Sequence, residues 1–260
     1  MNSSPAISPA PAVSADFSVV IPCYNEADNI LALVDEVVTA CVGLTFEILV
    51  VDDASTDESA SRVQRALPAF GGRLRLIQHR RNAGQSAGVC SGVDAARGRI
   101  VVTLDGDGQN DPADIPSLVR ALGQHSGASP VIICGHRQRR QDTWVRRLSS
   151  RVANGVRARA LGDATPDTGC GLKAFERSLF MQLPRFNHMH RFLPALVRRS
   201  GGEAISVPVN HRPRLHGQSK YGIGNRLWVG IVDIFGVMWL QRRAFRPTAS
   251  VEVGKATSQT

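Results

Sequence analysis

Short β-branched runs alternate with stretches of helical period through the first half of this chain, and that alternation constrains the fold more than any other feature. Residues 17–22 (FSVVIP), 46–51 (FEILVV), 74–78 (LRLIQ), 100–104 (IVVTL) and 131–134 (VIIC) read as five buried strands. Between them, residues 27–41 carry Ile30, Leu33, Val34, Val37 and Val38 at helical spacing. A Ser-Thr-Asp cap opens a second helix over 55–67, residues 84–96 form a small-residue helix, and 114–122 a fourth. Strands that alternate with helices in this way predict an α/β fold, a mostly parallel central sheet with helices on both faces.

Beyond Arg137 the pattern loosens. Residues 144–161 read as an Arg-rich helix, 179–183 and 192–199 as helical pieces, and 204–209 (AISVPV) as a strand. Residues 1–15 are rich in Pro, Ala and Ser without periodicity and read as a disordered leader; residues 244–260 read as a flexible tail. One domain over 16–243 is expected, with halves at 16–136 and 137–243.

Charge separates those halves. Residues 1–130 hold 15 Asp/Glu against 9 Arg, whereas residues 131–260 hold 7 Asp/Glu against 19 Arg and 3 Lys. An acidic half that holds a cation, joined to a basic half that meets phosphates, lipid headgroups or nucleic acid, fits this asymmetry. The five cysteines include no CxxC pair, which argues against a disulfide framework or a structural zinc and fits a reducing cytoplasm. Cys23 and Cys170 lie beside polar motifs but have no adjacent reactive partner, so both read as packing residues. No run of 18 apolar residues is present to span a bilayer.

In an open parallel sheet, ligands bind beyond the carboxyl ends of the strands. The first strand ends in Pro22-Cys23-Tyr24-Asn25-Glu26, the second in Asp52-Asp53, and the fourth in Asp105-Gly106-Asp107-Gly108-Gln109. Three strands therefore deliver carboxylates to one edge. Asp105 and Asp107, two apart around Gly106, can face one hard cation to which Gln109 adds an oxygen, and Mg²⁺ or Mn²⁺ suits such donors. The alternative is a turn whose aspartates bond their own backbone; Asp52 reads as a turn-former of this kind.

SVVIPCYNEADNI, EILVVDDASTDES, RNAGQSAG and VVTLDGDGQNDP, in this order and spacing, resemble an inverting glycosyltransferase of family 2 with the GT-A fold. DTGCGLKAF (167–175) and RPRLHGQSKYG (212–222) narrow the resemblance to the dolichyl- and polyprenyl-phosphate sugar synthases typified by dolichyl-phosphate mannose synthase. It covers about residues 17–243.

The resemblance implies a nucleotide pocket formed by Pro22, Tyr24, Glu26, Val51 and Asp53. Asp105, Gly106 and Asp107 would straddle the donor diphosphate, with Asp107 and Gln109 as ligands to Mg²⁺ or Mn²⁺. Arg137, Arg214 and Lys220 would contact the donor diphosphate and the acceptor phosphate, and Asp167 would orient the sugar or its basic neighbours. The implied substrates are a GDP- or UDP-linked sugar and a polyprenyl phosphate.

A phosphate monoester is largely ionised near neutral pH and needs little help from a base. Relatives that glycosylate alcohols often carry an acidic pair where this chain reads HMHRF (188–192), which favours the phosphate acceptor over a saccharide or other alcohol. Residues 227–240 (LWVGIVDIFGVMWL) are too few to span a bilayer; an in-plane helix at the cytoplasmic membrane face and a core helix are the two open readings. A nucleic-acid-binding reading of the basic half lacks any recognised motif and has few aromatics for base stacking.

Overall fold

The computed structural model describes residues 15–125, 127, 129–137, 161–162, 165–213 and 223–243. The leader, the tail, most of the Arg-rich segment at 144–161, Arg214 and Lys220 lie outside the described residues.

Seven strands form one sheet. They are β1 (Phe17–Cys23), β2 (Phe46–Asp52), β3 (Leu74–Gln78), β4 (Ile100–Thr103), β5 (Val131–Arg137), β6 (Lys173–Glu176) and β7 (Glu203–Val209). Their order across the sheet is β3-β2-β1-β4-β6-β5-β7. All neighbours run parallel except β6, which is antiparallel to both β4 and β5. Every residue of β2 is buried, as expected of a central strand covered on both faces.

The one acid in that run, Glu47, is fully buried and compensated. Its carboxylate accepts from Ser18 Oγ (2.8 Å), the Arg97 amide (2.6 Å) and Arg75 Nη1 (2.9 Å). Desolvating a carboxylate is tolerable only with this kind of pairing.

Helices α1 (Ile30–Ala40), α2 (Ser59–Ala66) and α4 (Ile115–Gln124) accompany the acidic half, and α3 (Gln85–Ala95) covers the opposite face. Ile30, Leu33, Val34 and Val37 of α1 pack with Val19, Ile21, Ile48 and Val50 of the sheet. Val89 and Val93 of α3 pack with Val20, Leu49 and Val51 on the other side. The small residues of α3 permit close approach: a Cβ at Gly92 would lie 2.3 Å from Val20 Cγ1.

Two sequence expectations need adjustment. The second helix starts at Ser59 rather than Ser55, because Asp57 holds the preceding residues in a turn: its Oδ1 accepts from the Ser59 amide (2.9 Å) and hydroxyl (2.6 Å). Ser55 Oγ instead accepts from the Asn25 amide (2.9 Å). The fifth strand runs on to Arg137 because β7 pairs with it as far as Val209.

Past β6 come α5 (Arg177–Met181), α6 (Leu193–Arg199) and α7 (Ile223–Arg242). Among the described residues no helix is long and apolar enough to cross a membrane. One face of α7 packs on the core, as the core-helix reading expects, and the other is exposed. Val237 is buried with Ile234 and Met238 packed alongside, Asp233 Oδ2 lies 2.9 Å from His188 Nδ1, and Arg199 Nε donates to Leu240 O (2.8 Å). Val232, Phe235 and Trp239 are exposed, at 56%, 66% and 61%.

Gly92→Ala should lower stability by about 1–3 kcal/mol through overpacking against Val20, read from the urea midpoint. An unchanged midpoint would mean that α3 can move off the sheet without loss.

Candidate active site

The loops beyond β1 and β2 are bolted together at the sheet edge. The Asp53 amide donates to Cys23 O (2.8 Å), the Glu26 amide to Ser59 Oγ (2.8 Å), and the Thr56 amide to Asn25 Oδ1 (2.8 Å). Asn25 and Ala54 adopt left-handed φ values of 54° and 59°. Asparagine tolerates that region, whereas alanine pays a steric cost there that the surrounding bonds must offset. Asp52 is the expected turn-former, with Oδ2 accepting from the Ser55 amide (3.3 Å).

Asp53 serves as a brace. Its carboxylate accepts from the Ala83 amide (2.9 Å) and the Gly84 amide (2.7 Å), and Oδ1 lies 2.7 Å from His79 Nδ1. Those contacts fix the loop that enters α3. The next two residues reach elsewhere: Gln85 Nε2 donates to Asp105 Oδ1 (2.7 Å), and Ser86 Oγ lies 2.7 Å from His190 Nδ1. Residues 84–86 thus tie three separate elements to one helix start.

Asp105 lies at the base of a crevice shared with Pro22, Gln85, Gly171, Lys173 and His190. Burial and, after it, the neighbouring Asp107 push its carboxyl up to about 6, against the pull of Lys173 and Arg137 and a hydrogen bond from Asn110. Only glycine fits at 171, since a Cβ there would fall 2.2 Å from the Asp105 carboxylate. Thr103 Oγ1 holds that segment by donating to Gly171 O (2.6 Å). Gly106 is similarly confined, its Cβ position 3.0 Å from Pro22 O.

At the lip of the crevice, Asp107 Oδ1 accepts from the Gln109 amide (3.1 Å), and Gly108 turns the chain with φ of 71°. The turn reading of the sequence is therefore correct as far as it goes. It also leaves two carboxylates close enough to raise the proton affinity of one. Among the described residues no three His, Cys, Asp or Glu side chains gather as a metal site. A cation here would take its remaining oxygens from a ligand.

Arg137 and Asp167 come together as a bidentate pair, Nε to Oδ2 at 2.6 Å and Nη2 to Oδ1 at 2.8 Å. Removing one partner would strand a buried charge, at a cost of about 3–5 kcal/mol. Pro22 lines the crevice, whereas Tyr24 and Glu26 stand on the loop after β1, where Glu26 Oε2 accepts from Asn29 Nδ2 (2.8 Å). Val51 is wholly buried beneath the site, packed toward α3. Cys23 and Cys170 are packing residues as expected; burial, with Asp52 next, pushes the Cys23 thiol up to about 12.

Residues not anticipated from sequence complete the arrangement. Lys173 is 3% exposed, and its ammonium donates to Cys170 O and to Thr168 O. Its rarity among 28 arginines was the signal, and that signal pointed equally to Lys220. His190 is pushed down to about 3 by burial, then by Lys173, Arg191 and His188. Arg212 pairs with Glu36 Oε2 (2.6 Å), a partner 176 positions away that no local pattern reveals. Its amide donates to Gln109 O (2.9 Å), and His211 bridges antiparallel to Asn110. The strand of chain that leads toward 214–220 is thereby laid along the DGDGQ turn.

Residues 18–183 match the family described as Glycosyl transferase family 2. A dodecaprenyl-phosphate galacturonate synthase of Rhizobium johnstonii is 37% identical over 242 residues, covering 91% of this chain and 70% of that protein. An undecaprenyl-phosphate 4-deoxy-4-formamido-L-arabinose transferase of Edwardsiella ictaluri is 38% identical over 208 residues, covering 79% of this chain and 63% of that protein. Among solved structures, glucosyl-3-phosphoglycerate synthase from Mycobacterium tuberculosis with Mg²⁺ and UDP superposes with a TM-score of 0.63 at 21% identity, covering 92% of this chain and 83% of that one. Its complex with Mn²⁺, UDP and phosphoglyceric acid gives 0.64, also at 21% identity, over 92% and 82%. That likeness shows the fold, which is GT-A.

Asp105 generates a pH signature. Its folded carboxyl, at about 6, binds a proton more tightly than the ordinary 3.8 of the unfolded chain. Stability therefore falls as pH rises from about 4 to about 6. In chelator, Asp105→Asn should melt higher than the unsubstituted protein by a margin that widens through this window and then stays level. A margin independent of pH would remove carboxylate crowding from the account.

Proposed function

This chain belongs to glycosyl transferase family 2, and on that footing we propose that it moves a sugar from a nucleoside-diphosphate donor to a polyprenyl phosphate with inversion at the anomeric carbon. The observation that carries the reading is the bridge between Asn110 and His211. It lays the approach to the basic RLHGQSK segment against the acidic turn that would hold the donor diphosphate. The names of the two curated relatives supply the acceptor class; this chain covers 63% of the length of the second of them.

In this reading Pro22, Tyr24 and Glu26 border the nucleotide, with Val51 and Asp53 supporting the pocket from beneath. Gly106 lets the backbone approach the diphosphate. Asp107 and Gln109 would hold Mg²⁺ or Mn²⁺, a hard cation for which their oxygens are suited. When bound, such a cation would supply positive charge to the departing nucleoside diphosphate. Asp105 balances Lys173 beside the sugar. Arg137, oriented by Asp167, and Arg214 with Lys220 stabilise the phosphates of donor and acceptor.

An oxygen of the acceptor phosphate attacks the anomeric carbon as the bond to the diphosphate breaks. The attacking oxygen is already ionised, so no side chain has to remove a proton. His190, held neutral by burial and its basic neighbours, lies in the HMHRF segment, where relatives that use an alcohol acceptor carry an acidic pair.

The exposed face of α7 supports docking at a cytoplasmic membrane surface, where a polyprenyl phosphate would be met. Val232, Phe235 and Trp239 project from one side, and Arg242 and Arg243 follow at its end.

Asp107→Ala should cut turnover of UDP- or GDP-linked sugars onto undecaprenyl phosphate by at least about 100-fold, measured by lipid extraction of labelled product. A product linked through a saccharide hydroxyl, or full activity in the variant, would overturn the assignment. Replacing Phe235 and Trp239 with Ser should abolish flotation with anionic liposomes while the melting curve holds; flotation that survives would take α7 off the membrane.

A further inference from the structure

The crevice beside Asp105 contains a hydrogen-bond donor that none of the phosphate-handling roles uses. We propose that Ser86 and His190 act as a pair in which the serine hydroxyl fixes His190 as an Nε2–H donor to an oxygen of the donor sugar. His190 is thereby a specificity-determining residue and Ser86 its positioning residue. The inference rests on the sugar-nucleotide function above and goes beyond it to the discrimination of the sugar.

The argument begins with proton accounting. Ser86 is 3% exposed, and its Oγ lies 2.7 Å from His190 Nδ1. The same Oγ accepts from the His190 backbone amide (3.3 Å), which occupies one lone pair. Among the described residues the hydroxyl bonds to no other acceptor, so its proton goes to Nδ1. An imidazole that accepts at Nδ1 and is neutral must carry its own proton on Nε2. Neutrality is secured by the surroundings: burial, Lys173, Arg191 and His188 all disfavour the imidazolium, holding its pKa at about 3.

His190 lines the crevice, whereas Ser86 stands outside its lining. There the walls divide by chemistry, with Pro22, Val89 and Leu193 apolar and Gln85, Asp105 and Lys173 polar. The crevice has room for about one water-sized group, so it takes a single hydroxyl of a pyranose or furanose, whose apolar face rests against the apolar wall. Two of the polar groups are committed elsewhere: Gln85 donates to Asp105, and Lys173 donates to backbone carbonyls. His190 Nε2–H has no partner among the described residues. A sugar oxygen that fails to meet it leaves a desolvated donor unpaired, and this is how a polar site rejects a wrong epimer or deoxy analogue.

The opposing possibility is that the pair only fastens residues 188–192 to α3. The two can be told apart by calorimetric titration of the full chain with Mn²⁺ and UDP, UDP-glucose or UDP-galacturonic acid, with GDP-mannose as the other nucleotide class. In His190→Ala, UDP affinity should be unchanged. The ratio of UDP-sugar affinity to UDP affinity should fall about tenfold, the worth of one hydrogen bond, for the sugar that the protein prefers. His190→Gln, whose amide N–H can reach the same oxygen, should recover most of that ratio. Imidazole ¹⁵N spectra should show the Nε2–H tautomer in the unsubstituted protein and a mixture in Ser86→Ala.

An unchanged ratio in His190→Ala, an equal loss of UDP and UDP-sugar affinity, or an Nδ1–H tautomer in the unsubstituted protein would overturn the inference. Failure of the unsubstituted protein to bind any of these sugar nucleotides would overturn the proposed function itself, and it is visible before a variant is made.

Discussion

Carboxylates gathered at one edge of a sheet repel one another and resist desolvation, so the edge can exist only if positive charge is brought among them. In this fold the charge arrives on β6, among the described residues the one strand that runs against the others. Lys173 stands in register with Thr103 on one side and Cys134 on the other, in the middle of the sheet. The residues just before it, Gly171 and Asp167, meet Asp105 and Arg137 respectively. A parallel strand in the same place would present its opposite end to this edge. Reversal of one short strand therefore lets a buried ammonium and a carboxylate–guanidinium pair sit beside Asp105, and the rest of the site is arranged around that compensation.

The five strands of the first half were legible because each is a run of β-branched residues between turn signals, and their carboxyl ends had to converge whatever the helices did. β6 was not legible. KAFE is four residues long, has no alternation, and follows a small-residue turn that reads as loop. The same limit applied to the site. Asp53, Asp105, Asp107 and Gln109 could be found from their position after strands. That Asp53 would be spent bracing the Ala83 and Gly84 amides could not, since amide orientation has no sequence signature. Arg137 and Asp167 were both singled out, yet their pairing depends on β5 continuing to Arg137, which β7 imposes from 72 positions away. His190 was readable only as part of HMHRF, a segment without an acidic pair; its meaning comes from Ser86, 104 residues earlier.

Helix α7 shows why an apolar stretch of intermediate length is ambiguous in sequence. Val237 and Ile234 answer to the core, Phe235 and Trp239 to whatever lies outside, and a helix apolar on two faces hides the periodicity that would separate them. Polar contacts add to this apolar packing. The Asp233–His188 contact and the bond from Arg199 to the Leu240 carbonyl seat the helix on α6 and on the turn that carries His190.

The strand order also dictates a sequence of assembly. β1 to β4 can pair as they leave the ribosome, but β5 borders only β6 and β7, and both lie downstream of it. Until residue 173 is made, VIIC at 131–134 is an apolar strand with two bare edges, attached to a half-sheet that it cannot join directly. Folding of this chain is thus completed late, when a four-residue strand joins the two parts of an open sheet. Nascent or truncated forms ending before it should be the ones that chaperones hold and that aggregate when released.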